Sequence, residues 1–335
     1  MSSLDENKNQ NPALSFVIVN RNTERLLVDC IGSILKNKTA DEFDCEIWLV
    51  DNGSSDRSVE TVRRLFPAVK IIEAGRNLGF AKANNLALSR ALGRYAVLLN
   101  TDAALTPDSV KEALSFMDGQ KDAAVLGAQL LNADGSRQNS VANTPCLLTE
   151  LANKSLLRLL FPHRYPGKEK ELPGPAEVES VIGAFMAVRM QAIEDAGPMD
   201  EDYFFFLEET DWCFRFREKG WKVYHHPGVR VFHLQGQSAG ENPEGARIEY
   251  WRSRYLFFRK HRSLFAKAVL RTGLFLKLII DFTLKLLENI AFAFSSKKRR
   301  EKLRVYTVLL IWHLAGCPEG WGLAGKEVQA TAKNR

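Results

Sequence analysis

Residues 95–102 read YAVLLNTD, an unbroken apolar run closed by three polar residues. A strand that is apolar at successive positions is covered on both faces, the condition of strands in a parallel sheet between helical layers. The pattern recurs at LSFVIVN (14–20), CEIWLVD (45–51), VKIIEA (69–74) and AAVLGAQLL (123–131). Between these runs, helical periodicity covers about 24–37, 57–66, 80–92 and 108–118, the last opened by Thr-Pro-Asp. Such alternation predicts an α/β domain, its mainly parallel sheet flanked by helices.

The strands end in polar residues: Asn20 and Asn22, then Asp51-Asn52-Gly53, then Asn100-Thr101-Asp102. Open α/β sheets bind ligands outside the carboxyl ends of their strands, so a crevice is expected there. Asn and Asp also favour turns and caps, and one such end alone carries little weight. Neither GxGxxG nor GxxxxGK[ST] occurs, which removes the commonest dinucleotide and P-loop readings. RNLGFAKANNLAL (76–88) offers Arg76 and Lys82 around Gly79, with Asn84 and Asn85 just inside the next helix. That grouping suits a pyrophosphate at a helix N-terminus, and a structural glycine turn equally well.

Residues 134–176 contain five prolines and read as a long excursion over the active face. EVESVIGAFMAV (177–188) reads as extended, and WKVYHHP (221–227) with VRVFHLQ (229–235) as two strands of a hairpin near the sheet edge. FFFLEETDWCFR (204–215) crowds Glu208, Glu209 and Asp211 beside three phenylalanines. It supports two readings: a helix with an acidic first turn and an Asp211–Arg215 pair, or a catalytic carboxylate. Asp102 gains weight as a metal ligand because Glu209, Asp211 and His233 supply further donors downstream.

The order of VIVNRN, LVDNGSSD, RNLGFAKANN, LLNTD, VIGAFMAVR, FFFLEETDWCFR and VFHLQGQS resembles the family 2 inverting glycosyltransferases, most closely their bacterial rhamnosyltransferase and cell-surface polysaccharide branch. The likeness runs from about residue 14 to 262 and more loosely to about 320. It implies the nucleotide-sugar-binding fold termed GT-A, and a nucleotide-sugar donor (dTDP-, UDP- or GDP-linked, rhamnose being one candidate sugar). It implies a lipid-linked or polysaccharide acceptor and a divalent cation, Mg2+ or Mn2+. By position, it implies that Asn20 and Asp51 meet the nucleoside, while Arg76 and Asn77, with the Gly79 turn, line the donor; Asn22 and Asn84 are further substrate-binding candidates. Asn100 and Asp102 fall on the DxD-type element, with Asp102 and His233 as metal ligands. Glu209 falls on the catalytic base, Asp211 on the second acid of that motif, and Gly183 in a substrate-binding stretch. Two positions depart from the pattern: Asn100 replaces the first Asp of the DxD element, and Glu209 replaces the more usual Asp. Crowding by Glu208 and Asp211 under apolar cover is expected to raise the pKa of Glu209. A non-catalytic sugar-nucleotide or glycan-binding protein on the same fold is the alternative.

With 45% hydrophobic and 26% charged residues, the 335-residue chain is not disordered. Five cysteines without a CxxC pair argue against a disulfide framework or zinc and for a reducing compartment. The first dozen residues lack a signal-peptide pattern, so a cytoplasmic protein is expected. Residues 1–251 carry 28 Lys and Arg against 35 Asp and Glu, whereas residues 252–304 carry 15 against 3. The basic part includes an apolar stretch, 263–294, whose six charges fall within about 120° of helical arc. Such a helix lies in a membrane interface or packs into protein, and KKRREKLR (297–304) favours anionic lipid on the inner face of the cytoplasmic membrane. Interleaved aromatic and basic residues for stacking bases are missing, so no nucleic acid is expected. The organisation expected is a tail at 1–13, the transferase domain at 14–262, a basic amphipathic arm at 263–320 and a tail at 321–335, with a homo-oligomer left open.

Overall fold

Every apolar run before residue 132 becomes a strand. The structure, a computed structural model, describes residues 12–37, 43–161, 172–234 and 242–324. In chain order the elements are β1 (Leu14–Asn20), α1 (Glu24–Asn37), β2 (Cys45–Asp51), α2 (Ser58–Leu65), β3 (Lys70–Glu73) and α3 (Phe80–Leu88). Next come β4 (Tyr95–Leu99), β5 (Ala103–Leu105), α4 (Ser109–Gly119), β6 (Ala123–Leu131), β7 (Val141–Ala142), α5 (Leu147–Leu151) and α6 (Lys154–Leu160). Then follow β8 (Ala176–Glu177), β9 (Ser180–Val181), β10 (Phe185–Arg189), α7 (Met190–Ala196), α8 (Glu208–Glu218) and β11 (Lys222–His233). Three helices close the series: α9 (Pro243–His261), α10 (Leu264–Ala291) and α11 (Lys297–Leu314).

The chain divides into two compact units. The first draws on Met1–Thr144, Gly167–Asp200 and Glu209–Gln235. Its main sheet runs β3-β2-β1-β4-β10-β6-β11-β5, with β8 also on β11, and β7 pairs with β9 apart. β1 is parallel to both β2 and β4, and the chain winds outward to β3 before returning to β4 on the other side. A crevice is expected at such a reversal. Alternate residues of β1 serve opposite layers. Phe16 and Ile18 join Leu27, Ile31 and Ile34 of α1 with Val110 and Met117 of α4. Val17 joins Ala83 and Ala87 of α3 with Trp212 and Phe216 of α8.

Two expectations need correction. The hairpin at 221–235 is one strand, β11, parallel to β6, with a register shift between His226 and Arg230. Pro227 and Gly228 read as a turn in sequence, yet an irregularity in the strand tolerates both because the three residues between His226 and Arg230 leave the ladder. The extended run at 177–188 is broken into β8, β9 and β10, and only β10 lies between β4 and β6.

The second unit draws on Pro145–Pro166, Glu201–Glu208 and Gly236–Arg335. It therefore takes in α9 and part of the proline-rich stretch as well as the basic arm. Within it α10 packs against α5, α9 and α11. α10 buries Leu270, Leu274, Leu278 and Asn289. At about 100° per residue its charges share this side of the helix, with Lys285 and Glu288 half-buried and Arg271 and Lys277 exposed at its margins. There Glu288 meets both Lys285 and Arg299 of α11. Leu276, Ile279, Ile280, Leu284, Leu287 and Ile290 are exposed instead. Among the described residues no helix is long and apolar enough to cross a membrane. The expected tails fall largely outside the described residues, as does the QGQS run at 235–238.

Trp212 closes one layer of the first unit, fully buried, with its ring N–H on Gly197 O at 2.9 Å. Trp212→Ala is expected to cost about 3–5 kcal/mol of unfolding free energy through the cavity it leaves. Urea unfolding followed by far-UV circular dichroism measures this.

Candidate active site

Strand direction gathers the polar residues. β1, β2, β4, β6 and β11 point the same way, so their carboxyl ends share one edge of the sheet. β10 and β5 run against their neighbours and bring their starting residues to that edge. Asn20, Asp51, Asn100, Asp102, Gly183 and His233 therefore come from five separate chain segments to one border.

At the β1 and β2 ends, Asn20 is buried and its amide is committed. Nδ2 donates to Asp51 Oδ1 at 3.3 Å and to Ser54 Oγ at 3.0 Å, while Oδ1 accepts from Thr23 Oγ1 at 2.7 Å. Asp51 Oδ2 accepts from Ser54 N at 3.1 Å. Asn20 thus holds the Asp51 carboxylate in place. Asn22 is exposed with φ 55°, and its Oδ1 accepts from Ser55 N at 2.7 Å.

The next loop is tied in by Asn52, which the candidate set omits. Its Nδ2 donates to Asn77 Oδ1 at 2.9 Å, and its Oδ1 accepts from Leu78 N at 2.7 Å. Gly53 has φ +79°, and a Cβ there would lie 2.8 Å from the Arg76 backbone, so only glycine lets the two loops approach. Gly79, with φ +83°, opens α3, and the Arg76 side chain is exposed. Asn84 is 1% exposed, and its amide donates to Phe80 O within its own helix at 2.9 Å.

At the β4 end, Asn100 N donates to Ala184 O at 3.1 Å, and the buried Cys30 thiol donates to Asn100 O at 3.4 Å. Leu234 N donates to Asp102 O at 2.9 Å. Asp102 Oδ1 and His233 Nε2 lie 3.4 Å apart, both largely buried. Gln138, a second residue that the candidate set omits, faces the other ring nitrogen of His233. Among the described residues no group of three or more His, Cys, Asp or Glu could hold a metal. A carboxylate and an imidazole fit a divalent cation that completes its shell with substrate phosphate oxygens and water, as Mg2+ sites commonly do.

Glu209 lies in the first turn of α8 and packs on Gly183, where an added Cβ would sit 3.7 Å from its side chain. Ala184, next in the chain, is the residue that holds Asn100. Burial pushes the Glu209 pKa up to about 7, against the opposing pull of the Glu209 and Thr210 backbone N–H groups. Fully buried Asp211 is engaged differently: its Oδ2 accepts from Arg215 Nε at 2.8 Å, as the helical reading expects. The phenylalanines, expected as cover for the base, belong to the helical unit, where Phe206 meets Tyr250 edge-on and Phe205 O accepts from Ser253 Oγ. Phe206 and Leu207 both have positive φ, 73° and 67°, a conformation costly for such side chains just before α8.

Comparison with known proteins places the chain itself. Residues 15–197 match glycosyl transferase family 2. An N-acetylglucosaminyl-diphospho-decaprenol L-rhamnosyltransferase of Mycobacterium tuberculosis is 27% identical over 249 residues, covering 69% of this chain and 80% of its own. A dTDP-rhamnosyl transferase of Shigella flexneri is 25% identical over 232 residues, covering 68% and 71%. A mannosyltransferase of Pyrobaculum calidifontis, solved with GDP-mannose and Mn2+, aligns with a TM-score of 0.56 and 15% identity over 92% of this chain and 88% of its own. That likeness shows the shared GT-A fold.

The raised Glu209 pKa has a sign that can be checked. Between the unfolded value near 4.5 and about 7 the folded protein holds the extra proton, so this residue's contribution to stability falls as pH rises through that window. Glu209→Gln removes that cost. The stability difference between variant and wild type, read from thermal midpoints at pH 5 and pH 8, is expected to favour the variant more at pH 8.

Proposed function

The chain belongs to glycosyl transferase family 2, and on that premise we propose that it transfers a sugar, with inversion, from a nucleotide-sugar donor to a hydroxyl of a lipid-linked or cell-surface glycan. The carrying observation is the meeting, at one sheet edge, of Glu209 with the Asp51, Asn100, Asp102 and His233 strand ends. A sugar hydroxyl is a poor nucleophile at neutral pH. A carboxylate titrating near pH 7 is matched to removing its proton as attack proceeds. The acceptor oxygen bonds to the anomeric carbon, the bond to the diphosphate breaks, and the proton passes to Glu209 Oε. Attack from the face opposite the nucleotide inverts the centre through an oxocarbenium-like transition state.

Asp51, held by Asn20, accepts from the base of the nucleotide. Arg76, Asn77 and the Gly79 turn line the donor, Arg76 with charge to offer the diphosphate. Asp102 and His233 hold the cation, Mg2+ or Mn2+, which when bound would offset charge building on the leaving diphosphate. With Asn100 in place of a carboxylate, less negative charge faces it. The names of the two relatives support rhamnose as the sugar, and the mycobacterial one supports a polyprenyl-diphosphate acceptor.

A lipid-linked acceptor calls for attachment to the inner face of the cytoplasmic membrane, and α10 supports it. Its charges share the side of the buried Leu270, Leu274 and Leu278, while Leu276, Ile279, Ile280, Leu284, Leu287 and Ile290 are exposed on the other, and the turn after it exposes Phe292 and Phe294. Lys297, Lys298 and Arg300 follow, all exposed. Apolar insertion beside cationic charge suits an anionic bilayer.

Transfer from dTDP-rhamnose to a polyprenyl-diphosphate sugar, measured with Mn2+, is expected to fall about 10²–10⁴-fold in Glu209→Gln. Thermal shifts by dTDP with Mn2+ should persist in that variant. Turnover near the wild-type rate would remove Glu209 from its role, and no turnover by wild type with any donor would favour a binding protein. Separately, Ile280→Asp with Leu287→Asp is expected to lose most co-sedimentation with phosphatidylglycerol vesicles. Unchanged partitioning would exclude this face from membrane contact.

A further inference from the structure

Gln138 is 5% exposed and lies beyond the turn that follows β6. Its backbone is secured by Gln138 N to Leu130 O at 2.8 Å, after a turn closed by Asn132 N to Ser136 O at 2.7 Å. One end of its side chain meets the main-chain oxygen of His233. A carbonyl oxygen only accepts, so this end is the amide nitrogen. The same nitrogen donates to Asn132 Oδ1 at 2.8 Å, and Asn132 is itself oriented by Nδ2 donating to Ser136 Oγ at 2.8 Å. The amide therefore cannot turn over without placing its oxygen against two acceptors.

Gln138 Oε1 is left facing His233 Nδ1 at 3.1 Å. An amide oxygen has no proton to give, so Nδ1 carries it, and a neutral imidazole has only one. His233 Nε2 then holds a lone pair, directed at a carboxylate oxygen of Asp102 only 3.4 Å away. With the ring neutral, two electron-rich atoms so placed repel each other unless a cation lies with them. We infer that Gln138 is a positioning residue that locks His233 in its Nδ1–H tautomer and so presents Nε2, with Asp102, to a divalent cation. A metal-bound histidine commonly donates its other N–H to such a partner, whose loss weakens metal binding about 10–100-fold. The inference rests on the cation-assisted reading of the site.

The wild-type protein tests it first, without metal. Long-range proton–nitrogen spectra of 15N-histidine-labelled protein at pH 8, with His233 identified by its loss in His233→Gln, should show the Nδ1–H pattern. A proton on Nε2, alone or together with Nδ1, overturns the inference. Gln138→Met keeps the side-chain length and removes both polar ends. It should shift His233 toward the Nε2–H form and weaken Mn2+ binding in the presence of UDP about 10–100-fold, read by electron paramagnetic resonance. Unfolding in EDTA measures any general loss of stability separately, and if the variant does not fold the wild-type spectrum decides. Wild-type Mn2+ affinity in a folded Gln138→Met overturns the inference and leaves the cation reading intact. Absence of Mn2+ binding by wild type removes both.

Discussion

The side chain of Asn20 closes the first strand with both its N–H donors spent: it donates to Asp51 and Ser54 and accepts from Thr23. A buried amide that lost these partners would cost about 1–3 kcal/mol, so the bonds hold the ends of β1 and β2 level. The ladder agrees, with Asn20 opposite Asp51. A slip of one residue would turn Phe16 and Ile18 away from α1 and aim the Asp51 carboxylate elsewhere. Since β1 also pairs with β4, and β4 with β10, the level of every later strand end is referred to this one. The alignment of Asp102, Gly183 and His233 on one border follows from it.

Burial explains the raised pKa of Glu209, the proposed base, more fully than crowding does. Three carboxylates within four positions suggest mutual repulsion, but Asp211 is neutralised in place by Arg215. The pKa of Glu209 rises chiefly because its carboxylate is desolvated, and the amides at the start of α8 temper the rise. Gly183 matters here because it offers only backbone beside a side chain one methylene longer than the aspartate usual at this position.

Much of the first unit was legible in the sequence because double-sided burial writes unbroken apolar runs. LSFVIVN, CEIWLVD and AAVLGAQLL fold with the bounds their patterning suggests. Asp102, His233 and Glu209 were legible as residue types in a recognisable order. What stayed hidden depends on contacts distant in sequence. Pro227-Gly228 looks like a turn until β6 supplies a partner for both halves of β11. Gln138 has no periodicity and no motif, and its meaning arises only from a histidine 95 positions later. The inward turn of the α10 charges was hidden too, because a helical wheel shows which residues share a side and not which side meets the protein.

That inward turn has a bearing on how the chain behaves in plain water. Leu276, Ile279, Ile280, Leu284, Leu287 and Ile290 of α10 stay hydrated when the unit is folded, so each Å² of that face forgoes about 25 cal/mol of burial. Folding does not depend on recovering it, since Leu270, Leu274 and Leu278 pack on the other side. Anything apolar can recover it: a bilayer, a detergent micelle, or the same face of another copy. Association through that face is then expected to depend on what surrounds the protein, weakening wherever lipid or detergent covers it.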